Sequence, residues 1–215
     1  MLIIDRKIVI LHIRKAGGTS FCRGLIDLLP PSRIEYYGYT KPGEVRSRNS
    51  ARNGGLWKHS KAADFFAKSP LKRDEVKVYL VSTRPYLERV ASFYLFARRR
   101  NEKDSTAYPW VRGLSFSGYL HSNHLNRDTL MNYALSADGH LLVDHFVQYD
   151  RLDQEFSDLC ELLGLGPRQI PRLNLNNVPR EDYAAMYSPE DLTFIEEITR
   201  QEAALLSDAA ETAGS

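Results

Sequence analysis

Lys7-Ile8-Val9-Ile10-Leu11-His12-Ile13-Arg14-Lys15-Ala16-Gly17-Gly18-Thr19-Ser20 is the stretch whose reading decides the fold. Residues 7–13 form a continuous apolar run rich in β-branched side chains, which reads as a strand buried on both faces. Residues 14–20 read as a turn. Residues 21–29 place Phe21, Leu25 and Leu28/Leu29 at helical spacing, and Pro30-Pro31 stops that helix. Strand, glycine turn and helix in this order open an α/β domain.

Further along, the same grammar returns. Residues 76–83 read as a second buried strand. Arg84 occupies the turn, and Pro85 suits the first helical position of 86–100, whose apolar stripe is Val90, Phe93, Tyr94 and Ala97. A third strand is expected at 141–148. It leads into a helix over 153–163 with Phe156, Leu159, Leu162 and Leu163 on one face and Gly164 as its C-terminal cap. Ser188-Pro189-Glu190-Asp191 opens a last helix running to about residue 206. There Ser188 caps, Pro189 sits at N1, Asp191 takes the capping-box position, and Leu192, Ile195, Ile198 and Ala203 form the stripe. The expected architecture is α/β, a mostly parallel central sheet flanked by helices. It is expected as a single domain over 1–215, with 209–215 as a frayed tail. Two segments, 32–55 and 98–113, read as irregular and basic.

With 215 residues, 43% of them apolar, the chain is able to bury a substantial core, and wholesale disorder is excluded. A net charge of +2 conceals an asymmetry: residues 1–112 carry 23 basic and 10 acidic side chains, residues 113–215 carry 6 and 17. No apolar run approaches the roughly 18–20 residues that span a bilayer. Charge arrives at Asp5-Arg6-Lys7, unlike a signal peptide, so a cytoplasmic location is expected. Two cysteines, Cys22 and Cys160, are too few for a disulfide framework or a Cys-rich zinc site.

The turn after the first strand carries phosphate-binding chemistry. A helix N-terminus offers backbone N–H groups and partial positive charge, glycines allow close approach, Lys15 adds a full charge, and Thr19 and Ser20 add hydroxyls. A tight connection with Thr19 or Ser20 as a simple N-cap is the plainer reading. The lysine precedes the glycines, so this is not a Walker A loop. Arg84 marks a second anion site at another strand end, and Ser92 lies two helical turns on. Two such sites suit a ligand with two separate phosphate-type groups. The plainer reading makes Arg84 a salt-bridge partner of Glu88 and Ser92 a packing residue.

Residues 10–20 resemble the "H-I-P-K-T-G-G-T-S" signature of sulfotransferases that use 3′-phosphoadenosine 5′-phosphosulfate (PAPS). Residues 83–94 resemble their "R-N-P-Y-E-R-x-x-S-x-Y" segment, and residues 143–152 and 174–187 are similar to later elements of the family. The likeness spans nearly the whole chain and is greatest to the carbohydrate-type and bacterial branch. It departs at Arg14 (usually proline), at Ala16 (usually threonine) and in lacking the asparagine between Arg84 and Pro85. The resemblance implies a P-loop-like fold. It implies that Lys15, Ala16, Gly17, Gly18, Thr19 and Ser20 cradle the 5′-phosphosulfate and that Arg84 and Ser92 bind the 3′-phosphate. PAPS would be the cosubstrate and PAP the product, with no metal required.

Sulfuryl transfer needs charge neutralisation at the bridging oxygen, for which Lys15 fits, and a base. Residues 55–63 resemble the "K-H-x-x-A" segment of related bacterial enzymes, making His59 the candidate base with Ser60 capping a helix behind it. A surface or capping histidine is the alternative. His12 reads as a core histidine. His121 and His124 are spaced for one helical face but lack a third metal ligand, and they would line an acceptor pocket instead. His140 and His145 have no evident partners. Tyr36, Tyr37, Tyr39, Trp57, Tyr108 and Trp110 suit stacking on a saccharide or glycolipid acceptor. The rival readings are a nucleotide phosphotransferase, with Asp150 as the nearest metal-binding acid, and a non-catalytic polyanion- or nucleotide-binding module using Arg46, Arg48, Arg52 and Arg98-Arg99-Arg100. No nucleic-acid-binding signature is present.

Overall fold

The computed structural model describes residues 1–213 apart from 39, 50, 82, 126 and 174–180, so Tyr39, Ser82 and the first half of the 174–187 segment lie outside the described residues. In chain order the elements are β1 (Leu2–Ile4), β2 (Ile8–His12), α1 (Gly18–Leu28), β3 (Ile34–Tyr36), α2 (Lys41–Arg48), α3 (Ala62–Lys68) and β4 (Lys77–Val81). There follow α4 (Tyr86–Lys103), α5 (Phe116–Leu120), α6 (Leu130–Ala134), β5 (His145–Val147), α7 (Leu152–Leu162), α8 (Glu181–Ala184) and α9 (Pro189–Ala213). The chain divides into two compact units, Met1–Thr83 with Leu130–Asn174 and Arg84–Thr129 with Leu175–Ser215.

The first unit is α/β around a five-stranded sheet of order β3-β1-β2-β4-β5. The three strands read from the sequence, β2, β4 and β5, are parallel. β1 and β3 add antiparallel pairings, so the sheet is mixed and not mostly parallel. The extra edge begins with a tight turn: Asp5 and Arg6 both have positive φ (50° and 57°), and the Lys7 N–H bonds to the Ile4 carbonyl at 2.9 Å. Two successive left-handed residues give the twist that antiparallel neighbours need, and Asx-Gly is the usual sequence for it. Asp5-Arg6 carries no such signal.

β5 is shorter than the expected 141–148. The Asp144 N–H bonds the Val78 carbonyl at 2.9 Å, but the Val78 N–H is taken at 2.7 Å by the Asp144 carboxylate, which also pairs with Arg73, so regular pairing starts only at His145. On one sheet face Leu2, Ile4, Ile10, Tyr79, Val81 and Val147 meet Phe21 and Leu25 of α1 and Phe156 and Leu159 of α7. Burying each such side chain contributes about 1.5–3 kcal/mol. Gly24 permits this helix pair: a Cβ there would stand 2.6 Å from Phe156 Cζ. On the other face Val9, Leu11, Val78 and Leu80 are equally buried. α7 ends as Gly164 predicts, with Gly164 N–H to the Glu161 carbonyl and Leu165 N–H to the Cys160 carbonyl, both 2.9 Å.

The second unit is helical with a core dense in aromatic rings, among them Tyr86, Phe93, Tyr94, Phe116, Tyr119, Tyr183 and Tyr187. α4 starts at Tyr86 with Pro85 as its N-cap, one position later than expected, and continues through Lys103 into the segment read as irregular. α9 opens with the predicted capping box: Asp191 N–H donates to Ser188 Oγ at 3.1 Å and Ser188 N–H to Asp191 Oδ2 at 3.0 Å. The helix runs to Ala213, through most of the stretch expected to fray. Its buried face also differs from the expected stripe. Leu192 and Ala203 are exposed, and Asp191, Ile195, Ile198 and Glu202 point inward. Two buried carboxylates replaced two apolar positions because each has a partner: Glu202 meets Arg89, and Asp191 meets Ser117 and His121.

Candidate active site

The Ile13 N–H still bonds across to Val81, at 2.9 Å, and the chain then leaves the sheet. Lys15 (φ 64°) and Gly17 (φ 78°) are both left-handed, and α1 begins at Gly18. For a lysine this conformation costs about 1–2 kcal/mol, strain of the kind that collects at ligand sites. Gly17 makes no side-chain cap, and the first turn of α1 holds no acidic residue, so its leading N–H groups keep their partial positive charge. Ala16 is buried, and Lys15 and Thr19 are half-buried.

Two of the small residues have packing duties. A Cβ on Gly18 would lie 2.4 Å from His12 Cβ, so glycine is demanded there by the histidine whether or not an anion binds. The Ser20 hydroxyl donates to the Leu173 carbonyl at 3.2 Å and accepts the Leu173 N–H at 3.1 Å, tying α1 to the segment after α7.

His12, at the end of β2, also holds the candidate base. His59 Nδ1 lies 3.2 Å from the His12 backbone oxygen, and the two rings meet edge to face with centroids 4.6 Å apart. A carbonyl only accepts, so Nδ1 carries the proton and Nε2 bears the lone pair. Among the described residues Nε2 makes no hydrogen bond. His59 is buried, and burial pushes its pKa down to about 3. Ser60 is not a helix cap as expected: its hydroxyl accepts the Trp57 N–H at 2.9 Å, closing the turn that carries His59, and Lys61 is the N-cap of α3. The Trp57 ring stands 5.3 Å from the imidazole and is 38% exposed.

Arg84 and Ser92 belong to the second unit. Arg84 Nε donates to Glu88 Oε2 at 3.0 Å, and its guanidinium lies 5.1 Å over the Tyr183 ring. Ser92 is fully buried within α4. Arg84 thus makes the Glu88 salt bridge of the plainer reading. Arg89, which the sequence reading passed over, is 1% exposed. It bonds to the Arg84 carbonyl, to the Asp128 carbonyl at 3.1 Å and to Glu202. A mid-helix arginine five residues after another gives no hint of a partner 113 positions away.

The remaining histidines are placed otherwise than expected. His121 is the C-cap of α5 and bonds Asp191 at 3.1 Å, while His124, beyond the helix, stacks on Trp110, so the two share no helical face. His145 has a partner after all, Glu155 at 2.6 Å, and His140 has Asp138 at 3.3 Å. Of the aromatic candidates, Tyr36 and Tyr37 are buried, and Trp110 stacks with Tyr119 and with His124. Trp57 keeps an exposed ring. Among the described residues no cluster of three His, Cys, Asp or Glu is placed to hold a metal ion, and no helix is long and apolar enough to cross a membrane.

No protein-family model, no curated protein and no solved structure matches this chain.

Proposed function

We propose that the chain is a group-transfer enzyme of the α/β class that receives the oxyanion end of a donor at the Lys15–Ser20 turn. The particular reading is a PAPS-dependent sulfotransferase with a P-loop-like donor site. The observation that carries it is the link from His59 to His12, which tethers the candidate base to the residue packed against Gly18. Sequence order supports it too, since Lys15, Gly17, Gly18 and Thr19 follow a buried strand and open a helix.

In this reading the Lys15 ammonium and the open N-terminus of α1 neutralise charge that builds on the bridging oxygen. An acceptor hydroxyl attacks sulfur in line. Its oxygen–sulfur bond forms as the bond from sulfur to the phosphate oxygen breaks, and His59 Nε2 takes the hydroxyl proton. A ring with a pKa of about 3 is a weak base. Negative charge arriving at the turn favours the imidazolium and raises that value. Arg84 grips the 3′-phosphate after exchanging its Glu88 contact. Trp57, exposed beside His59, suits a saccharide or glycolipid acceptor. A cytoplasmic setting belongs to the same proposal.

The Arg84–Glu88 pair favours a second reading, in which the donor lacks a 3′-phosphate and the enzyme is a phosphotransferase. Calorimetric titration with PAP and with ATP separates the two. Tighter binding of PAP is expected, and a preference for ATP overturns the sulfotransferase reading.

A further inference from the structure

Sequence 41–53 presents a cationic surface that the transfer chemistry leaves unused. One face of α2 and the turn after it line an open depression of about 530 Å³. Lys41, Arg46 and Arg52 supply its charge, interleaved with Val45 and the amides of Asn49 and Asn53. Positions 41 and 45, with the C-cap Asn49, follow one side of α2, and Arg52 and Asn53 join them from the turn beyond it.

Its positive charge is only partly neutralised locally. No acidic residue lines the depression, and Glu44 is engaged by Arg48 at 3.3 Å. The Glu35 carboxylate stands 3.6 Å from Arg46 and also 3.5 Å from Arg6, one negative charge facing two guanidiniums. Lys41 and Arg52 form no ion pair among the described residues, whereas Arg46 Nη1 faces Glu35 Oε2 at 3.6 Å, beyond hydrogen-bond distance. The surface is also held in shape. Asn53 Nδ2 donates to the carbonyls of Arg46 (3.0 Å) and Asn49 (3.1 Å), clamping the turn onto the end of α2, and the Arg46 guanidinium rests 5.3 Å over the Tyr37 ring.

We infer that this depression is a second oxyanion site, taking the sulfate, phosphate or carboxylate groups of an acidic saccharide or of a free inorganic anion. The inference stands on the depression itself and not on the sulfuryl-transfer reading. Guanidiniums grip such groups bidentately, and Val45, 56% exposed among them, offers apolar contact to a sugar C–H face. Single-stranded nucleic acid is disfavoured, because its sites use exposed aromatic rings for stacking and no aromatic side chain lines this one.

The test titrates the full chain with dextran sulfate oligomers, inorganic sulfate, neutral dextran and single-stranded DNA. It compares the Lys41→Gln/Arg52→Gln double variant with an Arg98→Gln/Arg100→Gln control. Arg98 and Arg100 are exposed on α4 and are not among the residues lining this depression, so the control removes equal charge elsewhere. Dextran sulfate affinity is expected to fall roughly five- to thirtyfold in the first variant and to change little in the second. Inorganic sulfate that competes at equal anion concentration assigns a free anion, and competition only at large excess assigns a chain. Equal losses in the two variants, equal binding of neutral dextran, or tighter binding of DNA at matched charge overturns the inference. PAP affinity, read in parallel, tests the glycine turn alone, and its absence leaves the dextran sulfate result standing.

Discussion

His59 and His12 are joined through the main chain, Nδ1 of His59 donating to the His12 carbonyl oxygen at 3.2 Å. A residue 47 positions downstream is thereby fixed to the last residue of β2, and its tautomer is set by a group that no side-chain substitution removes.

Acid stability follows from this burial. The folded ring titrates near 3, whereas an unfolded histidine titrates near about 6.5. Between those values the unfolded chain binds a proton that the folded chain excludes. The stabilisation is therefore complete above pH 6.5 and declines as pH falls through the window, by up to about 1.4 kcal/mol per pH unit for one ring. Burial holds His12 down as well, so two rings contribute. Urea unfolding at pH 7, 6 and 5 should show the loss, and His59→Gln should make the slope shallower. An unchanged slope in the variant would show that His59 does not carry it.

Strain at Lys15 separates stability from binding. Lys15→Gly removes the penalty of the left-handed conformation and should raise stability by about 1 kcal/mol, whereas Lys15→Ala keeps that penalty. Both variants lose the ammonium, so both should bind PAP at least tenfold more weakly. Thermal melts and PAP titration check the pair. Retained PAP affinity in either variant removes Lys15 from the donor site.

Ser20 is a structural tie in this state. Ser20→Ala leaves the Leu173 N–H and carbonyl without the hydroxyl that serves both, a loss of about 1–3 kcal/mol. Chemical denaturation measures that loss. PAP affinity should change less than threefold, and a larger change would return Ser20 to the ligand-binding set.

Arg89 and Glu202, 1% and 6% exposed at their side chains, form a buried pair. Glu202→Gln leaves a buried guanidinium short of its charge partner and should destabilise by about 3–5 kcal/mol. Replacing both partners, Arg89→Met with Glu202→Leu, should recover most of that loss. A double-mutant cycle in urea reads the coupling, and a coupling near zero would show that the ions act independently.

How far the sequence discloses this structure depends on whether a signal is local. β2, β4 and α1 were legible because apolar runs and a proline stop are written in adjacent residues. The Gly164 ending of α7 and the Ser188–Asp191 box were legible for the same reason. β1 and β3 were not: each is three residues long, and the turn at Asp5-Arg6 lacks glycine and reads as mere charge. α2 was missed because Val45 alone among its side chains marks a buried-type residue, and that one is exposed. At the site, His59 was singled out through its motif, but its hold on His12 depends on a backbone atom that no residue type announces. Ser20 and Ser92 illustrate the reverse. Hydroxyls that look like donors for a ligand are used within the fold or enclosed by it.

The buried face of α9 has a consequence for which sequences can replace it. A face of leucines would dock in several registers and onto many apolar surfaces. Here Asp191 and Glu202, 11 positions apart, must find their hydrogen-bond donors simultaneously, so a one-turn slip strands two carboxylates in an apolar setting. The helix is selective about where it settles, and any swapped or truncated version that keeps its hydrophobicity but loses those two acids should bind less discriminately.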